Sequence, residues 1–222
     1  MTNSHYDLIL HRANTRKRIQ TYAGYFKRLE VDIWAHGNFR ICHDRTLGPL
    51  VVGQNGVALS ANKRQFVRWQ WPYLTLHELL IEYPLPLLID LKGQWPDKEL
   101  RRLSSFLSEW HADDIICCPD AEILKRCTNW ISCKIVLSEA HRYTREKLFD
   151  VFPQNSSLWG VSVDAQKVIS RTDLIRGFRN DGLKVYAWNV RSQAMVRYLN
   201  HVGIDGLIVD TPLGLLPEHL SR

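Results

Sequence analysis

Two pairs of charged residues stand inside apolar segments of the chain, with a single residue between the members of each pair. Glu30 and Asp32 lie in the segment LEVDIW, and Asp90 and Lys92 lie in LLIDLK. Side chains two residues apart in a β-strand point to the same side, so the members of each pair share a face. Carboxylates that converge repel each other unless a cation lies between them. The spacing therefore indicates an oxygen-rich site suited to a hard divalent ion, Mg²⁺ or Ca²⁺.

Two histidines stand close to apolar segments of the same kind. His11 follows the segment YDLIL, and His43 lies in the motif CHD, shortly after LEVDIW. Imidazole titrates near neutral pH, so the two side chains are suited to act as a general acid and a general base. Arg12 and Lys92 are cations that would hold an anion. Together with a metal ion, these residues predict cleavage of a phosphate ester.

Eight short apolar segments alternate with helical patterns along the chain. Most of the segments are continuous rather than alternating in polarity, which is typical of strands buried on both faces of a parallel sheet. We therefore predict the α/β class and a single (β/α)8 TIM barrel over residues 1–222, with a small strand or loop extension after the second strand. The apolar segments span 6–10, 29–34, 87–91, 114–118, 134–137, 159–163, 185–190 and 206–210.

Helices are predicted between these strands from the spacing of apolar residues and from capping residues. Ser192 and Gly203, for example, mark the two ends of one helix. Because the carboxyl ends of barrel strands carry the active site, we expect the charged pairs, both histidines and Trp188 at one mouth of the barrel. The segment TLHELLIEY is also helix-like, and the other predicted helices span 97–110, 120–128, 142–151, 171–181, 192–202 and 213–220.

Composition narrows the cellular context and the partners. The chain has 222 residues and a net charge of +6, and no apolar run is long enough to cross a membrane. We therefore predict a cytoplasmic protein without stable membrane insertion. The five cysteines form no CxxC pair, which indicates reduced thiols and no zinc site. A basic cluster at 12–18 leaves nucleic-acid binding as an alternative, although we predict no nucleic-acid partner; the oligomeric state stays open.

Several motifs occur in a characteristic order from His11 to Pro212. They are LILHRAN, LEVDIW followed by CHD, a helix-opening TLHELL, LLIDLKG, the tryptophan of VYAWNV and a closing GIDGLIVDTP. This order resembles the glycerophosphodiester phosphodiesterase family, within the wider group of phosphatidylinositol phospholipase C-like barrels. The resemblance covers nearly the whole chain.

The resemblance implies metal-dependent hydrolysis of a small anionic phosphodiester. The products would be a phosphomonoester, sn-glycerol 3-phosphate in a typical member, and an alcohol, and the cofactor would be Mg²⁺ or Ca²⁺. The implied roles are metal ligation by Glu30, Asp32 and Asp90, acid–base catalysis by His11 and His43, phosphate binding by Arg12 and Lys92, and a wall against the substrate at Trp188. The sequence leaves open which histidine is the acid and whether water or an internal hydroxyl attacks.

Two departures from the family pattern concern the site. Ala13 stands where the family has a glycine, in a loop that is rebuilt, and Asp90 stands where the family usually has a glutamate. These departures keep two alternatives open: a specialised phospholipase or a sugar- or polyol-phosphate phosphodiesterase on the same site, and a catalytically silent anion-binding barrel. Glu139 and His141 are further candidates to line the site, whereas Asp210 is interpreted as a turn residue.

Overall fold

A computed structural model of the chain describes most of its residues. Within 45–69, and at Val168, it describes the backbone only. All eight predicted site residues lie in the described part of the chain. The described ranges are 6–35, 38–43, 45–47, 50–53, 57–58, 66–69, 74–110, 113–153, 158–169 and 171–218.

Strands form at each of the apolar segments and in the stretch that follows the second one. They are β1 (Asp7–Leu10), β2 (Arg28–Trp34), β3 (Arg40–Ile41), β4 (Arg45–Leu47), β5 (Leu50–Gly53), β6 (Val57–Ala58), β7 (Phe66–Trp69), β8 (Leu87–Lys92), β9 (Ile115–Cys118), β10 (Lys134–Leu137), β11 (Leu158–Asp164), β12 (Lys184–Trp188) and β13 (Gly206–Val209). The predicted strands are therefore confirmed to within one or two residues at their ends.

Eight of these strands close into a parallel barrel, which confirms the predicted (β/α)8 TIM fold. The order around the barrel is β1, β2, β8, β9, β10, β11, β12 and β13, and β1 pairs with both β2 and β13. The short strand β3 adds an antiparallel pairing to β2. Strands that follow each other around the barrel also follow each other along the chain, as in a right-handed βα succession. That the whole chain is one domain stays a prediction.

Helices fill most of the connections between barrel strands. Of the helices predicted from spacing, only 213–220 is wrong: its described part, which ends at residue 218, contains only a short 3-10 helix at Leu213–Leu215. Leu216 is extended (φ −72°, ψ 141°), as expected for a residue before a proline, and Pro217 therefore ends the helix. The helices are α1 (Arg16–Tyr22), α2 (Leu76–Glu82), α3 (Asp97–Leu107), α4 (Ala121–Cys127), α5 (Arg145–Val151), α6 (Ala165–Val168), α7 (Thr172–Asn180) and α8 (Gln193–Val202).

The predicted extension after the second barrel strand is a small antiparallel sheet. Its strand order is β4, β5, β7, β6, and it lies in the chain between β3 and α2. Asp44 of the CHD motif lies outside the described residues. The extension leaves the order of the barrel strands unchanged, because β8 pairs directly with β2.

Apolar side chains fill the barrel interior below its mouth. Gly206 on β13 leaves room for the ring of Tyr186, because a Cβ at this glycine would lie 2.4 Å from Cδ1 of that ring. Two positions further along these strands, the side chains of His11, Asp90, Ser138 and Trp188 line the mouth. The interior cluster contains Ile9, Leu88, Ile115, Cys117, Val136, Tyr186 and Ile208.

Candidate active site

A cavity of about 210 Å³ lies at the carboxyl ends of the barrel strands. Parallel strands all end at the same mouth, so residues far apart in the sequence meet there. All of the site residues predicted from the sequence line this cavity. They are His11, Arg12, Glu30, Asp32, His43, Asp90, Lys92 and Trp188.

Three carboxylates converge in the cavity. Glu30 and Asp32 come from β2, and Asp90 comes from β8, where the strand register places it beside Asp32. One oxygen of each carboxylate lies within 4.8 Å of the others. Glu30 is 4% exposed and Asp32 is 1% exposed, so bulk water screens their repulsion poorly.

Burial and mutual repulsion shift the ionisation of these carboxylates. Burial first, and then the charges of Asp32 and Asp90, raise the pKa of Glu30 well above its usual value. Burial also raises the pKa of Asp90, although Lys92 opposes the shift. Burial acts in the same direction on Asp32, but the charge of Lys92 and smaller contributions outweigh it and lower the pKa. The ionised forms of Glu30 and Asp90 are therefore disfavoured, and a cation bound between the carboxylates would favour them.

The three carboxylates fit a hard divalent cation. Oδ1 of Asp90 is buried and has no hydrogen-bond partner among the described residues. A buried oxygen without a donor is costly, and an ion such as Mg²⁺ or Ca²⁺ would satisfy it. Glu30, Asp32 and Asp90 are the residues that would hold such an ion.

Lys92 lies directly against two of the carboxylates. Its Nζ is 2.9 Å from Oδ1 of Asp32 and also pairs with Oδ2 of Asp90. Burial favours the neutral amine of Lys92, but the surrounding carboxylates outweigh this effect and raise its pKa. The predicted phosphate-binding lysine is therefore also an internal counter-ion of the carboxylate cluster.

The two predicted catalytic histidines have different partners. Nδ1 of His11 is 3.1 Å from Oδ1 of Asp210, which follows β13. Since a carboxylate accepts, Nδ1 carries the proton in this contact and Nε2 is left to exchange one. Nη2 of Arg12 donates to Nε2 of His43 at 2.9 Å, so this nitrogen is unprotonated here. Asp210, interpreted from the sequence as a turn residue, also positions an imidazole.

Residues of the turn after β1 donate hydrogen bonds to two of the three carboxylates. Arg12 adopts a left-handed conformation (φ 49°), and its N–H donates to Oε2 of Glu30 at 2.5 Å. Because Arg12 rather than Ala13 takes the left-handed conformation, an alanine fits where the family has a glycine. Nδ2 of Asn14 donates to Oδ2 of Asp32 at 2.6 Å, and Oδ1 accepts from the Asp32 N–H at 3.0 Å. No local pattern in the sequence predicts that Asn14 is buried beside β2.

Further residues complete the lining of the cavity. Glu139, one of the two additional candidates, is among them, but His141 is not. Nδ1 of His141 accepts from the N–H of Asp164 at 3.3 Å, and burial lowers the pKa of this imidazole. The polar lining residues not predicted from the sequence are Cys117, Ser138 and Ser162.

Comparison with protein-family models establishes to which family the chain belongs. The model for the glycerophosphoryl diester phosphodiesterase family matches residues 78–213, which is more than half of the chain. The chain belongs to this family. Membership makes it a phosphoric diester hydrolase of the glycerophosphodiester phosphodiesterase type. A search of curated proteins finds no significant match.

Solved structures of phosphodiesterases share the barrel. A phosphodiesterase from Oleispira antarctica, solved in complex with the product sn-glycerol-3-phosphate, is 15% identical, with a TM-score of 0.68 and 94% coverage of both chains. A glycerophosphodiester phosphodiesterase from Parabacteroides distasonis is 12% identical, with a TM-score of 0.69 and the same coverage. The enzyme from Thermotoga maritima is 14% identical, with a TM-score of 0.63, covering 93% of this chain and 95% of that one. At such identities the similarity establishes the fold.

The three arginines of the basic cluster at 12–18 of this phosphodiesterase contact other residues of the same chain. Arg16 pairs with Glu78 at 3.1 Å and with Glu82 at 2.8 Å. Arg12 contacts His43, as described above, and the guanidinium of Arg18 binds the end of β13. The absence of a nucleic-acid partner and the cytoplasmic location stay predictions. Among the described residues, no helix has the length and apolar character needed to cross a membrane.

The variant Lys92→Met should destabilise the metal-free phosphodiesterase. Removing a buried ammonium leaves the carboxylate cluster without its counter-ion, so the free energy of unfolding should fall by about 3 kcal/mol. Urea unfolding in a chelator measures this loss, and saturating Mg²⁺ or Ca²⁺ should reduce it. Lys184→Met is the control, because Lys184 is half-exposed and its partner Asp205 keeps a backbone donor, so its loss should cost less than about 1 kcal/mol. Equal losses in the two variants would contradict the counter-ion role.

Proposed function

We propose that this chain is a divalent-metal-dependent phosphodiesterase that cleaves a small glycerophosphodiester into sn-glycerol 3-phosphate and an alcohol. The observation that carries the proposal is the meeting of three carboxylates, two imidazoles and two cations in one cavity. Family membership supports the class of bond that is cleaved. The Oleispira antarctica phosphodiesterase, solved with sn-glycerol-3-phosphate, supports the identity of the product.

The proposed binding roles follow from charge and position. Glu30, Asp32 and Asp90 would hold Mg²⁺ or Ca²⁺, and the bound ion supplies Lewis-acid stabilisation of negative charge on phosphate. Arg12 and Lys92 bind the phosphate oxygens from the same cavity. Lys92 is partly buried, so water screens its positive charge less than that of the exposed Arg12. Without the anion, Arg12 contacts His43, and Lys92 contacts Asp32 and Asp90. Contacts with the phosphate would replace these contacts when the anion binds.

The proposed proton transfers use the two histidines at opposite stages of the reaction. His11 accepts the proton of the attacking water or hydroxyl at Nε2, and Asp210 stabilises the imidazolium that forms. His43 gives a proton to the oxygen of the departing alcohol as its bond to phosphorus breaks. Arg12 releases Nε2 of His43 when its guanidinium turns to the phosphate, and this nitrogen then takes up a proton from solvent, which it passes to the departing oxygen.

Product analysis tests the proposal. Glycerophosphodiesters with different alcohols should each be incubated with the protein in Mg²⁺ or Ca²⁺ and followed by ³¹P NMR, and sn-glycerol 3-phosphate should appear. The variant Trp188→Ala should keep the product but bind diesters less tightly, because it removes an apolar wall. If only phospholipids or sugar- or polyol-phosphate diesters were cleaved, the substrate class would be wrong while the hydrolase would stand.

A further inference from the structure

The guanidinium of Arg18 lies behind the contact between His11 and Asp210. Its Nε donates to the backbone oxygen of His11 at 3.0 Å. Its Nη2 donates to the backbone oxygen of Asp210 at 2.7 Å and to Oδ1 of the same residue at 3.1 Å. One side chain from α1 therefore joins the ends of the first and last barrel strands to the carboxylate that faces the imidazole.

The backbone of Arg18 is itself held in place. Oγ1 of Thr15, the N-cap of α1, accepts from the N–H of Arg18 at 3.3 Å. The guanidinium carbon lies 5.9 Å from the centre of the Tyr22 ring, one turn further along the helix. A planar guanidinium offers several donors in fixed directions, so an anchored arginine imposes a geometry on its acceptors that a lysine cannot.

The Asp210 carboxylate needs a second partner to hold its orientation toward His11. Its side chain is 64% exposed, whereas that of His11 is 17% exposed. An exposed carboxylate paired with a single partner is held weakly, because water competes for it and its rotamers are free. The charged groups that face this contact are Arg18 and Arg12, and both favour the ionised carboxylate. Of these two arginines, only Arg18 donates a hydrogen bond to Asp210 within the described residues.

We propose that Arg18 is a positioning residue for the reaction: it orients the Asp210 carboxylate, which in turn keeps His11 protonated at Nδ1 and open at Nε2. This inference rests on the proposed function, in which His11 exchanges a proton with the reacting groups. Arg18 does not itself line the cavity, and in the described part of the chain it contacts none of the proposed metal ligands. It acts through a chain of two hydrogen-bonded contacts that ends on His11.

Kinetics and ¹⁵N NMR of the intact protein test the inference. Arg18→Met, which keeps the apolar length of the side chain, should lower kcat about 10-fold with little change in KM, because the imidazole is misdirected and the phosphate contacts remain. The kcat of Arg18→Lys should lie between that of Arg18→Met and that of the parent protein. In ¹⁵N spectra, the His11 ring of the parent protein should be a single Nδ1–H tautomer, whereas that of Arg18→Met should be a mixture of tautomers. Arg16→Met, from the same helix, is the matched control and should leave kcat and the tautomer unchanged.

The outcomes separate this inference from the function on which it rests. If Arg18→Met lowers kcat no more than Arg16→Met, or leaves the His11 tautomer unchanged, Arg18 has no positioning role. The double variant Arg18→Met/Asp210→Asn should lose no more kcat than Asp210→Asn alone. Additive losses of kcat in the double variant would also overturn the inference. Should Arg18→Met not fold, Arg18→Lys supplies the same comparison. Retention of full activity by His11→Ala would instead contradict the proposed function.

Discussion

Replacing either His11 or His43 with alanine should lower the rate of diester hydrolysis about 100-fold or more, the usual loss when a general acid or base is removed. Both imidazoles line the cavity, and each has its own partner, Asp210 for His11 and Arg12 for His43. Each variant therefore removes one proton transfer and leaves the metal ligands in place. The measurement is kcat on a diester that the parent protein cleaves, with metal saturating.

The control for the histidine variants is His201→Ala, because His201 is exposed on α8 and makes no contact with the cavity. Its rate should match that of the parent protein. Since His11 and His43 lie at the barrel mouth rather than in the apolar interior, their loss should change the unfolding midpoint little. Near-full turnover by both cavity variants would show that the acid–base assignment is wrong.

Removing divalent metal should abolish activity, and restoring Mg²⁺ or Ca²⁺ should recover it. The reason is the convergence of Glu30, Asp32 and Asp90, whose oxygens lie within 4.8 Å of one another. Glu30→Gln and Asp32→Asn each remove one charge from the ligand set and should weaken metal binding by on the order of 10-fold or more. Full activity in excess chelator would eliminate the metal-dependent mechanism.

Asp90 decides whether the site has three carboxylate ligands or two. If Asp90 binds metal, calorimetry should show weaker binding by Asp90→Asn, whereas Asp90→Glu should retain binding in part, because the added methylene must fit beside Glu30 and Asp32. Asp113→Asn is the control, since Asp113 is exposed and precedes β9 at the other end of the barrel. Metal affinity in Asp90→Asn equal to that of the parent would mean that Asp90 serves only as the partner of Lys92.

The barrel and most of its site follow from local features of the sequence. Continuous apolar segments predict buried parallel strands, and eight of them predict closure. Spacing by two then places Glu30 with Asp32, and Asp90 with Lys92, on inward faces. A parallel barrel brings the carboxyl ends of all its strands to one mouth, so residues at those ends must meet whatever their separation along the chain. For this reason all eight predicted residues line one cavity.

Local patterns failed where an element has little apolar signal or where a proline intervenes. Helix α1 has Ile19 as its only buried residue, so no apolar periodicity marks it, and the Thr15 cap alone begins it. The helix predicted at 213–220 is cut short because proline disfavours a helical conformation in the residue before it, and Leu216 is extended. The extension after β3 contains strands, as expected, but their order in a separate sheet depends on pairings that the sequence does not encode locally.

Only the tertiary structure shows which partners orient the predicted residues. Asp210 lies 199 positions from His11, Asn14 lies 18 positions from Asp32, and Arg18 reaches across to the last barrel strand. The sequence by itself determined the fold class and the chemical groups at the mouth, because these depend on periodicity and strand direction. The contacts that orient those groups depend on closure of the barrel between β1 and β13, which brings distant backbone segments within hydrogen-bond distance and which no local pattern encodes.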